Sequence, residues 1–173
     1  KDEKYGVIDI NDKILFPFSD IRITDYDPRF LVVEKDWKYG IFDSKGKSVT
    51  DIIYDNKAIL NSNLIQLQVD GFHNVIFDRS KGRIIEDGEF FCEQEVNGMI
   101  KFSNMIDGKR LYGFRDSTGK VIVEPVFSEG GNYLKNGLAP VKIDHKWGLI
   151  NKKGEFILKP TYLEIGESND ALG

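Results

Sequence analysis

The sequence predicts an all-β protein assembled from short repeated units. Three observations carry that expectation: a period close to 35 residues, strands that alternate apolar and polar side chains, and glycines at set points of the period. The period is read from a turn with Gly in fourth place: Asp43-Ser44-Lys45-Gly46, Arg79-Ser80-Lys81-Gly82, Asp116-Ser117-Thr118-Gly119 and Asn151-Lys152-Lys153-Gly154. Asp9-Ile10-Asn11-Asp12 fills that place in the first copy. The fourth residues fall at 12, 46, 82, 119 and 154, so the intervals are 34, 36, 37 and 35. Glycine makes up 17 of 173 residues, about 10% against a usual share of about 7%, so its excess has to be positional. A second column, Tyr5-Gly6, Tyr39-Gly40, Tyr112-Gly113 and Trp147-Gly148, places four more.

The first strand of a unit is the segment before the aromatic–glycine pair. Ile65, Leu67 and Val69 alternate with Gln66 and Gln68, and Ala139, Val141 and Ile143 alternate with Pro140 and Lys142, the period-two pattern of a half-buried strand. Lys35-Asp36-Trp37-Lys38 and Asp144-His145-Lys146 turn the chain, and the aromatic–glycine segment returns as the second strand. The Gly-fourth turn follows. Its leading Asp or Asn can bond its own backbone two residues on, and its Gly accepts positive φ, the chemistry of a type I turn with a left-handed glycine. The third strand is Val121-Ile122-Val123-Glu124-Pro125 in copy four and Phe156-Ile157-Leu158-Lys159-Pro160 in copy five, with each proline at a strand end or edge. No window has a sustained helical period, and the stretch from Gly130 to Asn136 is too short and polar to assign.

The expected unit is therefore three antiparallel strands plus a looser connector. Approximate bounds are 1–28, 29–62, 63–98, 99–136 and 137–173. Copy three is degenerate, with His73-Asn74-Val75-Ile76-Phe77 standing where Lys38-Tyr39-Gly40-Ile41-Phe42 stood. A three-stranded leaflet buries too little apolar surface to fold alone, so neighbouring units must stack. An open, solenoid-like array is the leading architecture. The alternative is a closed propeller-like ring, whose blades of four strands and about 40 residues are larger than this unit. Scattering from an elongated particle would fit the first and a compact disc the second.

Gly137-Leu138-Ala139-Pro140-Val141, Lys146-Trp147-Gly148-Leu149-Ile150-Asn151, Gly154 and Lys159-Pro160-Thr161-Tyr162 together resemble the WG repeat, or WG-containing β-leg repeat, of bacterial proteins. Copy five matches over nearly its full length, and copies one, two and four match with Tyr in place of Trp. The resemblance implies a non-catalytic interaction module, often secreted or associated with the bacterial envelope. It implies no catalytic residues. The chain opens on the second strand of a unit, lacks an initial Met and closes on Asp170-Ala171-Leu172-Gly173, which reads as the start of a first strand, so a piece of a longer array is expected.

Composition argues against several chemistries. A formal charge of 24 − 28 = −4 gives no global field for collecting nucleic acid, and no apolar run approaches the length of a membrane span. Cys92, the one cysteine, cannot form an internal disulfide or a thiolate metal cluster, and it reads as a small hydrophobe in Phe90-Phe91-Cys92. His73 and His145, the two histidines, occupy turn-like places two repeats apart, without the surroundings of a nucleophile–base pair. The carboxylate pairs Asp25 with Asp27, Glu93 with Glu95 and Asp51 with Asp55 lack the Gly and terminal Glu of a calcium loop. No catalytic residue, cofactor or metal is expected.

The candidate binding residues form a column. Aligning the first turn of each unit puts Trp37, Phe72, Arg110 and His145 at the tip, with Glu3 in the first copy. Exposed planar groups of this kind suit protein hot spots or sugar faces, while the plainer reading is that they shield the turn. The rings of the aromatic–glycine pairs, by contrast, read as core. Lys45, Lys81, Lys120 and Lys153 lie beside Asp43, Asp78, Asp116 and Glu155 and read as mixed-charge ladders on a solvated edge. A protein partner comes first, a cell-wall or other carbohydrate second and an unidentified enzymatic reaction third.

Overall fold

The computed structural model describes residues 4–8 and 12–165. Among them are seventeen strands and no helix, arranged in five antiparallel sheets. The first sheet pairs β1 (Tyr5–Ile8) with β2 (Ile14–Ser19). The second runs β3 (Arg22–Tyr26), β4 (Phe30–Lys35), β5 (Lys38–Asp43), and the third β6 (Asn56–Ile59), β7 (Leu64–Asp70), β8 (His73–Asp78), β9 (Arg83–Glu89). The fourth runs β10 (Phe91–Cys92), β11 (Met99–Ile106), β12 (Lys109–Asp116), β13 (Val121–Phe127), and the fifth β14 (Glu129–Gly130), β15 (Leu138–Ile143), β16 (Lys146–Asn151), β17 (Phe156–Tyr162). In each sheet, chain order is spatial order. The chain divides into two compact units, the first ending at Glu89 and the second starting at Phe90.

The three-stranded expectation needs correcting. The connectors supply an additional outer strand, β3, β6, β10 or β14, hydrogen-bonded to the strand that follows it. Two residues suffice at β14, where Glu129 faces Lys142 and Gly130 faces Val141, too short a run for side-chain periodicity to register. The second sheet departs in the other direction. Beyond its glycine turn, the chain makes the isolated bridges Phe42↔Ser48 and Tyr39↔Tyr54 in place of a third ladder.

The Gly-fourth turns are built as their chemistry predicts. Asp43 Oδ1 accepts from the amides of Lys45 and Lys47 at 2.9 Å, Asp116 Oδ1 from those of Thr118 and Lys120 at 2.9 and 3.1 Å, and Asn151 Oδ1 from those of Lys153 and Glu155 at 2.9 and 3.0 Å. The glycines Gly46, Gly119 and Gly154 have φ of 81°, 86° and 80°, closed to a Cβ without strain. In copy three the capping carboxylate is Asp78, one place ahead of Arg79.

Packing explains why no single sheet suffices. In the first unit, Leu31 and Val33 of β4 join Val7, Ile23 and Phe42, while Val32 between them joins Ile41, Ile65, Leu67, Val75 and Phe77 in a separate cluster. Both faces of β4 are thus buried, as its unbroken Phe30-Leu31-Val32-Val33 run allows. Gln66 on β7 is buried too, so that strand is covered on both faces and not half-buried as its alternation suggests. In the second unit, Met99, Phe114 and Phe127 pack with Tyr133, Ala139, Val141 and Ile150 between the fourth and fifth sheets.

Candidate functional site

In the fourth and fifth sheets the aromatic–glycine pair lies on an inner strand, and its two residues do different work. A Cβ on Gly148 would lie 2.6 Å from the carbonyl oxygen of Leu158 and 2.9 Å from the nitrogen of Pro160; one on Gly113 would lie 2.5 Å from the oxygen of Val123. The cause is the ladder itself. Trp147 faces Tyr162 but Leu149 faces Leu158, so two residues on β16 span four on β17, and the surplus backbone presses into the space above the glycine. Tyr112↔Phe127 and Phe114↔Val123 repeat this on β12 and β13. In copy three the ladder runs without a break from His73↔Glu89 to Ile76↔Glu86, and the glycine is absent. Copy three thus lacks the shift that spans the glycine position and keeps only the later one, between Ile76 and Phe77.

The aromatic partner is half-buried: Tyr39 and Tyr112 pack against the cores of their units, as their core reading expects, and keep part of the ring exposed. In the second unit, Tyr112 and Trp147 line a cavity of about 260 Å³ with Glu93, Lys101, Glu129, Gly130 and Gly131. Register places the walls: Glu129, Lys142, Trp147 and Tyr162 form one row across the fifth sheet, and Ser103, Tyr112 and Phe127 one row across the fourth. Lys101 Nζ bonds the Glu93 carboxylate at 3.0 Å and the Gly130 carbonyl at 3.1 Å, and stands 5.8 Å from the Tyr112 ring centre. Lys142 Nζ bonds Glu129 Oε1 at 2.6 Å and stands 5.3 Å from the Trp147 ring centre. Each ring thus carries one ammonium and each ammonium one carboxylate, so the paired charges cancel. The Lys101 side chain is only 13% exposed, its stem packed along the wall with its ammonium at the cavity.

Elsewhere the same framework is filled. Lys57 faces Leu67 as Gly130 faces Val141, so Tyr39, Lys57, Ala58 and Asn74 occupy in the first unit the places of Tyr112, Gly130, Gly131 and Trp147 in the second. Lys57 Nζ lies 5.8 Å from the Tyr39 ring centre, and burial pulls its pKa down while the charge of Glu34 pulls it up. A lysine stem and an Asn thus stand where the second unit has two glycines and an indole.

The turn-tip residues are placed differently from one another. Trp37 and His145 are the second residues of two-residue hairpin loops, with φ of 64° and 65°, after Asp36 at 51° and Asp144 at 46°. Positive φ at both loop residues defines the type I′ turn, which favours Asp-Gly or Asn-Gly. Phe72 holds the second place of the Gly71-Phe72 loop. Arg110 is not at a tip. The loop in its copy is Asp107-Gly108, and Arg110 lies in β12 facing Met105, a displacement of two residues that an alignment without the register could not detect. Trp37 is 84% exposed and Phe72 65%. Glu3 lies outside the described residues.

The remaining candidates have local partners. His73 Nε2 pairs with Asp87, Asp25 with Arg79, Asp55 with Lys38, and Asp27 with Arg29 at 2.9 Å. The Arg29 side chain is the chief reason that the Asp27 carboxyl titrates below its ordinary range, against a lesser upward push from burial. Cys92 is buried, and no group of three His, Cys, Asp or Glu side chains able to hold a metal occurs among the described residues. Sequence reasoning missed Tyr133. It is buried, donates its hydroxyl to the Asn151 carbonyl at 2.9 Å and meets the Phe114 ring edge-on at 5.0 Å, pinning the connector beside the cavity. Burial pushes its phenol up to about 12.

Comparison with known proteins matches the C-terminal part of the chain to a repeat family. The family described as WG containing repeat matches residues 112–147 and 147–170. No curated protein matches the chain. Among solved structures, BamB from Moraxella catarrhalis aligns at 14% identity over 91% of this chain and 55% of its own, with a TM-score of 0.38. Hsv2 of Kluyveromyces lactis aligns at 16% identity over 90% of this chain and 57% of its own, with a TM-score of 0.40. The chain therefore spans a little over half the length of either.

Proposed function

We propose, from the match of residues 112–147 and 147–170 to the WG containing repeat family, that the chain is a non-catalytic repeat module mediating protein–protein interaction. Its five sheets are taken as successive copies of one repeat. The observation that carries the reading is Trp37. A large indole stands 84% exposed at a loop position with φ of 64°, where the equivalent hairpin of copy four has Gly108. A non-glycine residue in that conformation costs about 1 kcal/mol or more, and an exposed ring recovers little of it through burial. Such a residue contributes more to a partner's surface than to its own fold, and Trp is the residue type most enriched at binding hot spots.

Two measurements test this. Trp37→Gly is expected to raise folding stability by about 0.5–1 kcal/mol in urea unfolding, because an aspartate followed by glycine suits the type I′ turn. A photo-crosslinking residue at position 72 of the full-length protein in its native cell should give one protein adduct, lost with Trp37→Gly. No adduct, or an adduct indifferent to that substitution, would overturn the reading. A carbohydrate-binding role is the second reading, and the aromatic-walled cavity of the second unit favours it.

A further inference from the structure

We propose that the cavity between Tyr112 and Trp147 is a binding site for a single uncharged sugar ring. The inference deepens the carbohydrate reading and is independent of Trp37 and Phe72, which lie in the first unit. Three features of the cavity point to this ligand class.

The first is that the lining differs from the equivalent place in the first unit. At equivalent register positions the first unit has Tyr39, Lys57, Ala58 and Asn74, so the lysine stem takes the space and the second ring is lacking. In the second unit, Gly130 and Gly131 leave that space open and Trp147 provides an opposing wall. Gly131 could not carry a side chain, since its Cβ would lie 2.6 Å from Pro140 Cγ. Gly130 could: its Cβ would meet Phe114 at 3.4 Å and Tyr112 at 3.7 Å, ordinary contacts. The opening over Tyr112 thus depends on the absence of a side chain at Gly130.

The second is charge. The ammonium that Lys57 provides over Tyr39 is provided over Tyr112 by Lys101, reaching from β11. The cation position is already taken, and Lys101 and Lys142 are matched by Glu93 and Glu129. A cationic ligand would meet Lys101 and have to break an ion pair for its carboxylate, and an anion would face both carboxylates. A neutral polyol disturbs neither pair. It accepts from Lys101, whose three donors have two partners, and donates to the unused lone pairs of Glu93 and Glu129.

The third is shape. The half-exposed Tyr112 and Trp147 rings offer apolar surface to the C–H face of a pyranose while the polar groups ring its edge. A volume of about 260 Å³ lies just below the about 300–1,000 Å³ of drug-sized sites and suits one ring.

The test uses the two tryptophans. This chain has two tryptophans, so its amide correlation spectrum has two indole N–H signals, and Trp37 serves as the internal reference for Trp147. Glucose, galactose, N-acetylglucosamine and their disaccharides would be titrated, with glucosamine, glucuronate and arginine amide as charged probes. A saturable, millimolar shift of the Trp147 signal with at least one neutral sugar, and a several-fold weaker response to the charged relatives of the same ring, is expected. Gly130→Leu should abolish the shift while leaving the unfolding midpoint within a degree or so, and Gly130→Ala should weaken it less. No saturable shift with any neutral sugar, tighter binding of arginine amide or glucosamine, or undiminished binding by Gly130→Leu would each overturn the proposal. Any of these leaves the crosslinking result at the turn tips unaffected, so the two readings fail separately.

Discussion

At the residue scale, the glycine of the aromatic–glycine pair is a steric requirement set by the strand beside it. Gly148 and Gly130 make the contrast measurable. A methyl on Gly148 would collide with backbone at 2.6 Å, whereas one on Gly130 meets side chains at 3.4 Å or more. Gly148→Ala is therefore expected to cost about 2–3 kcal/mol, and Gly130→Ala to stay within about 0.5 kcal/mol, in equilibrium urea unfolding. The turn carboxylates act through charge as well. Burial raises the Asp116 pKa, but bonds from the Thr118 hydroxyl and from the Thr118 and Lys120 amides, with the Lys120 charge, outweigh it and hold the group below 3.8. A carboxyl depressed in the folded state stabilises above its unfolded pKa, and that stabilisation is lost as pH falls through the folded value. Asn151 shows that an amide builds the same turn. Asp116→Asn should therefore leave the fold intact and flatten the decline of the unfolding midpoint below about pH 4.

At the scale of an element, the connector Gly130–Gly137 illustrates what local pattern conceals. Its amides bond outward toward both ends, Gly131 to the Pro140 carbonyl at 2.9 Å and Leu134 to the Leu138 carbonyl at 2.8 Å. Tyr133 holds the middle through one hydroxyl and one ring contact. Tyr133→Phe keeps the ring and removes the bond, an expected loss of about 1 kcal/mol. Because burial raises the phenol to about 12, its stabilisation is complete below the ordinary tyrosine value of 10.0 and lost as pH climbs toward the folded value. The variant should lack that alkaline decline, read as unfolding midpoint against pH. The outer strands β10 and β14 are of the same kind: two residues each, defined by the ladder they join and not by any period of their own. The partner of β14, β15, was legible because six residues leave room for alternation.

At the scale of the molecule, the cores belong to pairs of sheets. Phe77 lies in a cluster with Val32 and Ile41 from the second sheet and Ile65, Leu67 and Val75 from its own, and its ring meets Phe30 edge-on at 5.1 Å. Phe77→Ala is expected to cost about 3–5 kcal/mol, and hydrogen exchange should show amides of β4–β5 and of β7–β8 losing protection together. Loss confined to β7–β8 would contradict a shared core. The repeat, its glycine turns, its all-β class and the central strands were all decided by the sequence, because turn chemistry and period-two burial are local properties that each copy states again. Only the tertiary structure decided the fourth strands, the placement of Arg110 two residues past its tip and the opening between Tyr112 and Trp147. Each of these depends on which residues face one another across a ladder or between sheets, and no stretch of chain read alone carries that information.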